Sequence, residues 1–240
     1  SLVVAEPGEA TAILQILLDE GRAKPEIRPV WIAFGRLLAA GSPYGWALAT
    51  CDSFAAAAVP AARVAWADRA VDALGVCIRG DDHQEPCRIR RGLLYAEIGA
   101  DDLALEDLGR VLADRRERGE GGGELAAPYG RLLNRAGRVE AAEAWLREAL
   151  LAAPERAEVW SDLGYALIMT GRAAEGREAL DRALALDPDL ATAWYNRGLH
   201  FYQARRWREA ADDFARALEL APGNPDIPPL LQQARARARQ

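Results

Sequence analysis

Small and apolar residues recur through the second half of this chain with a period of 34 positions, the spacing of Gly130, Gly164 and Gly198. From Ala157 the pattern runs Trp160, Leu163, Gly164, Leu167, Gly171, Gly176, Leu180, Ala183 and Pro188. From Ala191 it runs Trp194, Arg197, Gly198, Phe201, Arg205, Ala210, Phe214, Ala217 and Pro222. From Gly123 the same positions hold Ala126, Tyr129, Gly130, Leu133, Gly137, Ala142, Leu146, Ala149 and Pro154, and no gap is needed to align the three. Apolar spacings of three and four within each unit predict two helices. A fixed period of this length marks a solenoid of stacked helix pairs, in which each unit buries its apolar face only against its neighbours.

The residue types follow from that architecture. A glycine inside a helix costs roughly 1 kcal/mol relative to alanine, so its return at one repeat position calls for a compensating gain. Close approach of two helix backbones supplies it. Gly137 and Gly171 stand where the first helix of their unit ends, the usual place for positive φ. Pro154, Pro188 and Pro222 follow the second helix, where proline stops propagation. Leu146, Leu180 and Phe214 then fall on a buried face, with Ala149, Ala183 and Ala217 one turn later.

On these residues the chain resembles the tetratricopeptide repeat family, over units 123–156, 157–190 and 191–224. The expected fold is all-α: a right-handed superhelical solenoid of antiparallel helix pairs with terminal capping helices. A weaker copy spans 85–118, with Gly92, Tyr95, Gly99, Ala104 and Leu108 in register. It has Arg116 in place of the terminal proline, and Gly119-Glu120-Gly121-Gly122 separates it from the next unit as a flexible joint or a longer loop.

Upstream the period fades. Residues 9–21, 27–40, 43–57 and 60–79 read as four helices, punctuated by Gly21, Gly41 with Pro43, Pro60 and Gly80. The pair 43–79 has the look of a degenerate repeat, and 1–80 as a whole is read as a helical N-terminal cap. Helix 27–40 carries Val30, Trp31, Ile32, Phe34, Leu37 and Leu38. That face serves either as the cap over an open hydrophobic end or as a dimer surface joining two copies, and capping is the favoured reading. Residues 225–240 form the C-terminal cap, a helix with Ile227, Leu230 and Leu231 inward and Arg235, Arg237 and Arg239 outward.

Composition narrows the function. Half of the residues are hydrophobic, enough for a core, and no strand pattern stands out. The net charge of −6 disfavours a general nucleic-acid or anionic-membrane binder, and no segment is long and apolar enough to span a bilayer. Lys24 is the only lysine among 30 basic residues, a bias typical of a GC-rich bacterial genome. Ser1-Leu2-Val3-Val4 is not expected to be the native start, so a leader, lipid anchor or preceding domain stays open, and with it the compartment: cytoplasm, or periplasm and envelope. Cys77 and Cys87 flank the turn 79–86, where antiparallel neighbours come within bonding reach, and they are the candidate disulfide. Cys51 reads as a small packed residue.

Chemistry is sparse. Cys77, His83 and Cys87 fit no usual zinc spacing and lack a fourth ligand. His200, beside Phe201, reads as structural. There is no phosphate loop and no framed nucleophile with its base. No catalytic residue, metal or cofactor is assigned, and the chain is not expected to be an enzyme by itself.

The resemblance implies a concave groove lined by first helices. Carried onto this chain, its positions are Arg90, Leu93 and Glu97; then Glu124, Arg131, Asn134 and Arg135; then Glu158, Ser161, Asp162, Tyr165 and Met169; then Thr192, Tyr195, Asn196, Leu199, Tyr202 and Gln203. The residues expected to touch a partner segment are Arg131, Asn134, Arg135, Tyr165, Tyr195, Asn196 and Tyr202. Family members that clamp chaperone tails use lysine, asparagine and arginine at positions that here hold Ala127, Arg131, Asp162, Thr192 and Asn196, so a co-chaperone of that kind is not expected. The leading reading is a scaffold that binds a protein or peptide in this groove, in a setting that extends to envelope lipoproteins. The alternatives are the recognition arm of a larger, catalytic polypeptide and a self-associating structural protein using helix 27–40.

Overall fold

The computed structural model describes residues 60–79 and 84–239. The predicted helices 9–21, 27–40 and 43–57, with Cys51 and His83, lie outside the described residues. Among the described residues there are ten α-helices and no strand: α1 Pro60–Arg79, α2 Gln84–Glu97, α3 Asp101–Glu117, α4 Ala126–Arg135, α5 Val139–Ala152, α6 Ala157–Met169, α7 Ala173–Leu186, α8 Ala191–Gln203, α9 Trp207–Leu220 and α10 Ile227–Arg237. The chain divides after Val111 into two compact units.

In the first unit α1 packs on α2 through a core of Ala70, Ala73, Leu74 and Cys77 against Cys87 and Leu94. Pro60 opens α1, where a missing N–H costs nothing. A disulfide joins Cys77 to Cys87 across 6.2 Å between Cα atoms. Both sulfur-bearing residues are buried. The Arg91 guanidinium grips Asp107 through two hydrogen bonds of 2.6 and 2.8 Å, and Arg88 stands 3.7 Å from the same carboxylate.

The second unit contains the three pairs α4–α5, α6–α7 and α8–α9, closed by α10. The turn inside each pair is built alike. Arg138 N–H donates to Leu133 C=O, Arg172 to Leu167 and Arg206 to Phe201, all at 2.8 Å. These six-residue closures satisfy carbonyls that the helix end leaves free, and they require a left-handed residue one position earlier. Gly137 and Gly171 supply it, with φ of 72° and 83°. At the third turn Arg205 takes φ 59° instead.

The repeated tryptophans and prolines explain one another. Trp160 donates its indole N–H to Pro154 C=O at 2.7 Å, and Trp194 donates to Pro188 C=O at 2.8 Å. Each bond ties the start of one unit to the end of the unit before it.

The first pair departs from the pattern at its start. Residues 123–125 form a 3-10 turn and α4 begins only at Ala126. Pro128 accounts for the delay: in an α-helix begun at Gly123 it would lack the N–H that the Glu124 carbonyl needs. Of the glycine-rich segment before it, Gly119, Glu120 and Gly121 are exposed and only the last residue is packed. Gly122 is buried, and its N–H donates to the Glu148 carboxylate. Arg115 reaches the Gly122 carbonyl at 3.4 Å and Glu124 at 3.3 Å.

At the other end α10 places Ile227, Leu231 and Ala234 against Phe201 and Phe214. Leu230 is half-buried.

Candidate functional site

The first helices α4, α6 and α8 form a continuous layer, because α6 touches both of its neighbours. Polar side chains on their shared face hold the layer together. The Arg131 guanidinium on α4 donates to Asp162 Oδ2 on α6 at 2.8 Å. Asn134, only 7% exposed, donates its amide to the backbone carbonyl of Asp162, also at 2.8 Å. From the other side Asn196 on α8 donates to the buried Ser161 hydroxyl on α6 at 3.2 Å. Burial pushes the Asp162 carboxyl above its ordinary range despite the facing Arg131.

The aromatic candidates divide into two kinds. Tyr165 and Tyr195 are half-buried on neighbouring helices. The Tyr195 phenol is raised first by burial, then by Asp226 and by Tyr165, while its ring leans on Phe214 at a centroid distance of 6.0 Å. Tyr202 is covered. Its hydroxyl donates to Gln233 of α10 at 2.8 Å, Trp207 meets it edge-on at 5.0 Å, and the Arg237 guanidinium lies 5.6 Å from its ring centre.

The expected contact residues therefore lie on one layer, in different states. Arg131, Asn134 and Asn196 set the spacing of the first helices, Tyr202 is engaged by α10, and Arg135, Tyr165 and Tyr195 face outward or lie half-open. Gln233 was not singled out from the sequence, and Arg237 only as an outward residue of the cap, not as a partner of Tyr202. A signal for them exists: counted in the 34-residue frame from Pro225, they fall at the ninth and thirteenth positions, both groove positions in the family.

Two further groups named from the sequence lie among the described residues. His200 is half-buried with its ring against Phe201 at 5.5 Å. Burial, then Arg177 and Arg206, lower its pKa and favour the neutral imidazole. Cys77 and Cys87 are bonded to each other.

Tetratricopeptide repeat models match residues 129–191 and 163–239. The chain is a tetratricopeptide repeat protein. Its helix pairs are those of an all-α repeat solenoid, and repeats of this family are generally interaction modules rather than catalysts. No curated protein matches this tetratricopeptide repeat chain.

Among solved structures, it is similar to MamA of AMB-1 at 26% identity, with 68% of this chain and 94% of that one covered and a TM-score of 0.54. MamA from residue 41 of Desulfovibrio magneticus RS-1 is 20% identical over 74% of this chain and 98% of that chain, at a TM-score of 0.56. YrrB, described as a TPR protein with an unusual peptide-binding site, is 16% identical over 92% and 97% of the two chains, at 0.58. The RS-1 MamA and YrrB likenesses are ones of fold. No helix among the described residues is long and apolar enough to cross a membrane.

Proposed function

We propose that this tetratricopeptide repeat protein is a non-enzymatic scaffold that holds an extended segment of a partner protein along the face of α4, α6 and α8. The observation that carries the reading is the pair Tyr165 and Tyr195. They stand half-buried on α6 and α8, first helices that touch each other. Tyrosines so placed offer broad contact area with little rotamer entropy to lose, which is why hot spots concentrate in them.

Arg131, Asn134 and Asn196 support the tyrosines by fixing helix spacing, and Arg135 adds a guanidinium at the exposed end of α4. Only first-helix residues reach one ligand across several units, because the second helices pack on the opposite side of the layer. The likeness to YrrB, itself described as peptide-binding, is in keeping with a peptide ligand. The partner is a protein; the net charge of −6 gives no support to nucleic acid.

The test is photo-crosslinking in the native cell from a benzoyl-phenylalanine placed at Tyr165 or Tyr195. The control carries it at Leu151, an 87% exposed residue of second helix α5. The expected result is a partner captured from the two tyrosine positions and not from Leu151, whose co-purification with the crosslinker-free chain is lost on Tyr165→Ala with Tyr195→Ala at unchanged helicity. Capture from Leu151 alone moves the site to the outer face and ends the groove reading.

A further inference from the structure

A second surface lies between α9 and α10. It is a cleft of about 370 Å³, within the range of about 300–1,000 Å³ usual for ligand sites. Its floor is apolar, from Leu218 on α9 and Pro228, Leu231 and Ala236 on α10. Its polar edge consists of Gln232, Arg235 and Arg239, with no carboxylate in the lining.

The repeat frame explains what this cleft is. Counted from Pro225, Pro228, Leu231, Gln232, Arg235 and Ala236 hold the fourth, seventh, eighth, eleventh and twelfth positions of a unit. In the units before it the eighth position is Gly130, Gly164 or Gly198, each pressed against the second helix of its own unit. The cleft is thus the place of a second helix, and among the described residues none occupies it.

Gln232 decides what fits. Where Gly130, Gly164 and Gly198 let a helix backbone come close, glutamine holds it farther off, which favours a shallower contact here. A shallower ligand must reach the floor with its own side chain. Arg235 and Arg239 are both exposed, and neither meets a carboxylate among the described residues, whereas Arg147, Arg172, Arg177, Arg206 and Arg216 all do.

We infer that the α9–α10 cleft docks an acidic segment of a partner protein, with a large apolar side chain on Leu218 and Leu231 and flanking carboxylates on Arg235 and Arg239. Guanidinium pairs carboxylates in two-pronged fashion and tolerates partial burial. A bilayer surface is the other anionic, apolar target, but a concave cleft takes one side chain and not a flat interface.

The test uses the whole chain and a fluorescein-labelled peptide, Glu-Glu-Leu-Phe-Asp-Glu-Leu-Glu, read by polarisation. A second peptide has every carboxylate residue replaced by lysine. The acidic peptide is expected to bind and the lysine peptide to fail. Arg235→Glu with Arg239→Glu should weaken binding about tenfold or more while helicity is unchanged. Tyr165→Ala with Tyr195→Ala should leave it intact, which separates this site from the first-helix face. Absence of binding, equal binding of the lysine peptide, or indifference to the charge reversal overturns the inference. So does loss of binding to phosphatidylglycerol vesicles, rather than to peptide, on charge reversal.

Discussion

Arg197 holds Asp213 through two hydrogen bonds of 2.8 and 2.9 Å, and Arg91 on α2 holds Asp107 on α3 in the same way, with the same spacing of 16 residues. In the two units between them those positions carry Tyr129 with Trp145, packed edge-on at 5.5 Å, and Leu163 with Ala179, both buried. One slot between first and second helix is filled by three chemistries. Asp213 is almost fully enclosed, with its side chain 6% exposed, so removing its partner leaves a buried charge. Arg197→Leu is expected to cost about 3 kcal/mol. Adding Asp213→Ala recreates the pair of the preceding unit and should recover most of the loss. Urea melts of the two singles and the double measure the coupling; additive losses would mean the pair does not act as one unit.

Gly164 marks a close helix approach, shared with Gly176 across the α6–α7 contact. A Cβ there would stand 2.6 Å from Leu180 Cγ and 2.9 Å from the Gly176 carbonyl oxygen. In an open helix Gly→Ala gains roughly 1 kcal/mol; here Gly164→Ala is expected to lower the melting temperature. Gly164→Leu should be worse than Leu180→Ala, itself worth roughly 2–5 kcal/mol. A harmless Gly164→Leu would show that the α6–α7 contact yields easily.

The close approach was legible because a mid-helix glycine is locally unfavourable, and its return at a fixed period leaves packing as the reason. The same holds for the turn glycines. The first-helix face was legible only in outline. Periodicity says that Asn134 and Asn196 point along the layer, but not that their amides are spent on Asp162 and Ser161. Those partners sit 28 and 35 residues away, and hydrogen bonds between units leave no local trace in composition. The cover of Tyr202 by α10 was missed for a different reason: reading 225–240 as a plain cap hid that it continues the repeat frame.

Arg205 breaks the rule that glycine closes the first helix. It takes φ 59°, where Gly99, Gly137 and Gly171 stand in the other units. A left-handed residue with a side chain costs roughly 1–2 kcal/mol, partly offset because glycine loses more entropy on folding. Arg205→Gly is therefore expected to stabilise the fold by up to about 1 kcal/mol. A lower denaturation midpoint for the variant would mean the arginine makes a compensating contact.

The Cys77–Cys87 bridge spans a sequence separation of 10 between α1 and α2. A loop of that size limits the unfolded chain enough to contribute roughly 2–3 kcal/mol. Mass spectrometry of unreduced, proteolysed protein is expected to find the two peptides linked. Reduction should loosen α1 and α2 first, seen as faster amide exchange there than in α6 to α9. Equal exchange before and after reduction would deny the bridge a stabilising role.

Asp162 and Glu143 should answer acid in opposite senses. Burial raises the Asp162 carboxyl above its unfolded value. The folded chain therefore holds its proton more tightly, and that contribution is fully present below the unfolded pKa and lost as pH rises through the raised one. Burial also opposes ionisation of Glu143, but Arg147 at 2.8 Å and Arg172 at 2.6 Å outweigh it and hold its pKa down. Its contribution is present at neutral pH and lost as pH falls through the depressed value. Denaturation midpoints from about pH 3 to 7, across the ordinary carboxylate range, separate the two. Relative to the wild type, Asp162→Asn should fare best at neutral pH and lose ground on acidification. Glu143→Gln should be most harmful at neutral pH and nearly harmless in acid. Parallel curves for the two variants would mean that Arg131 offsets the burial of Asp162 as fully as the two arginines offset that of Glu143.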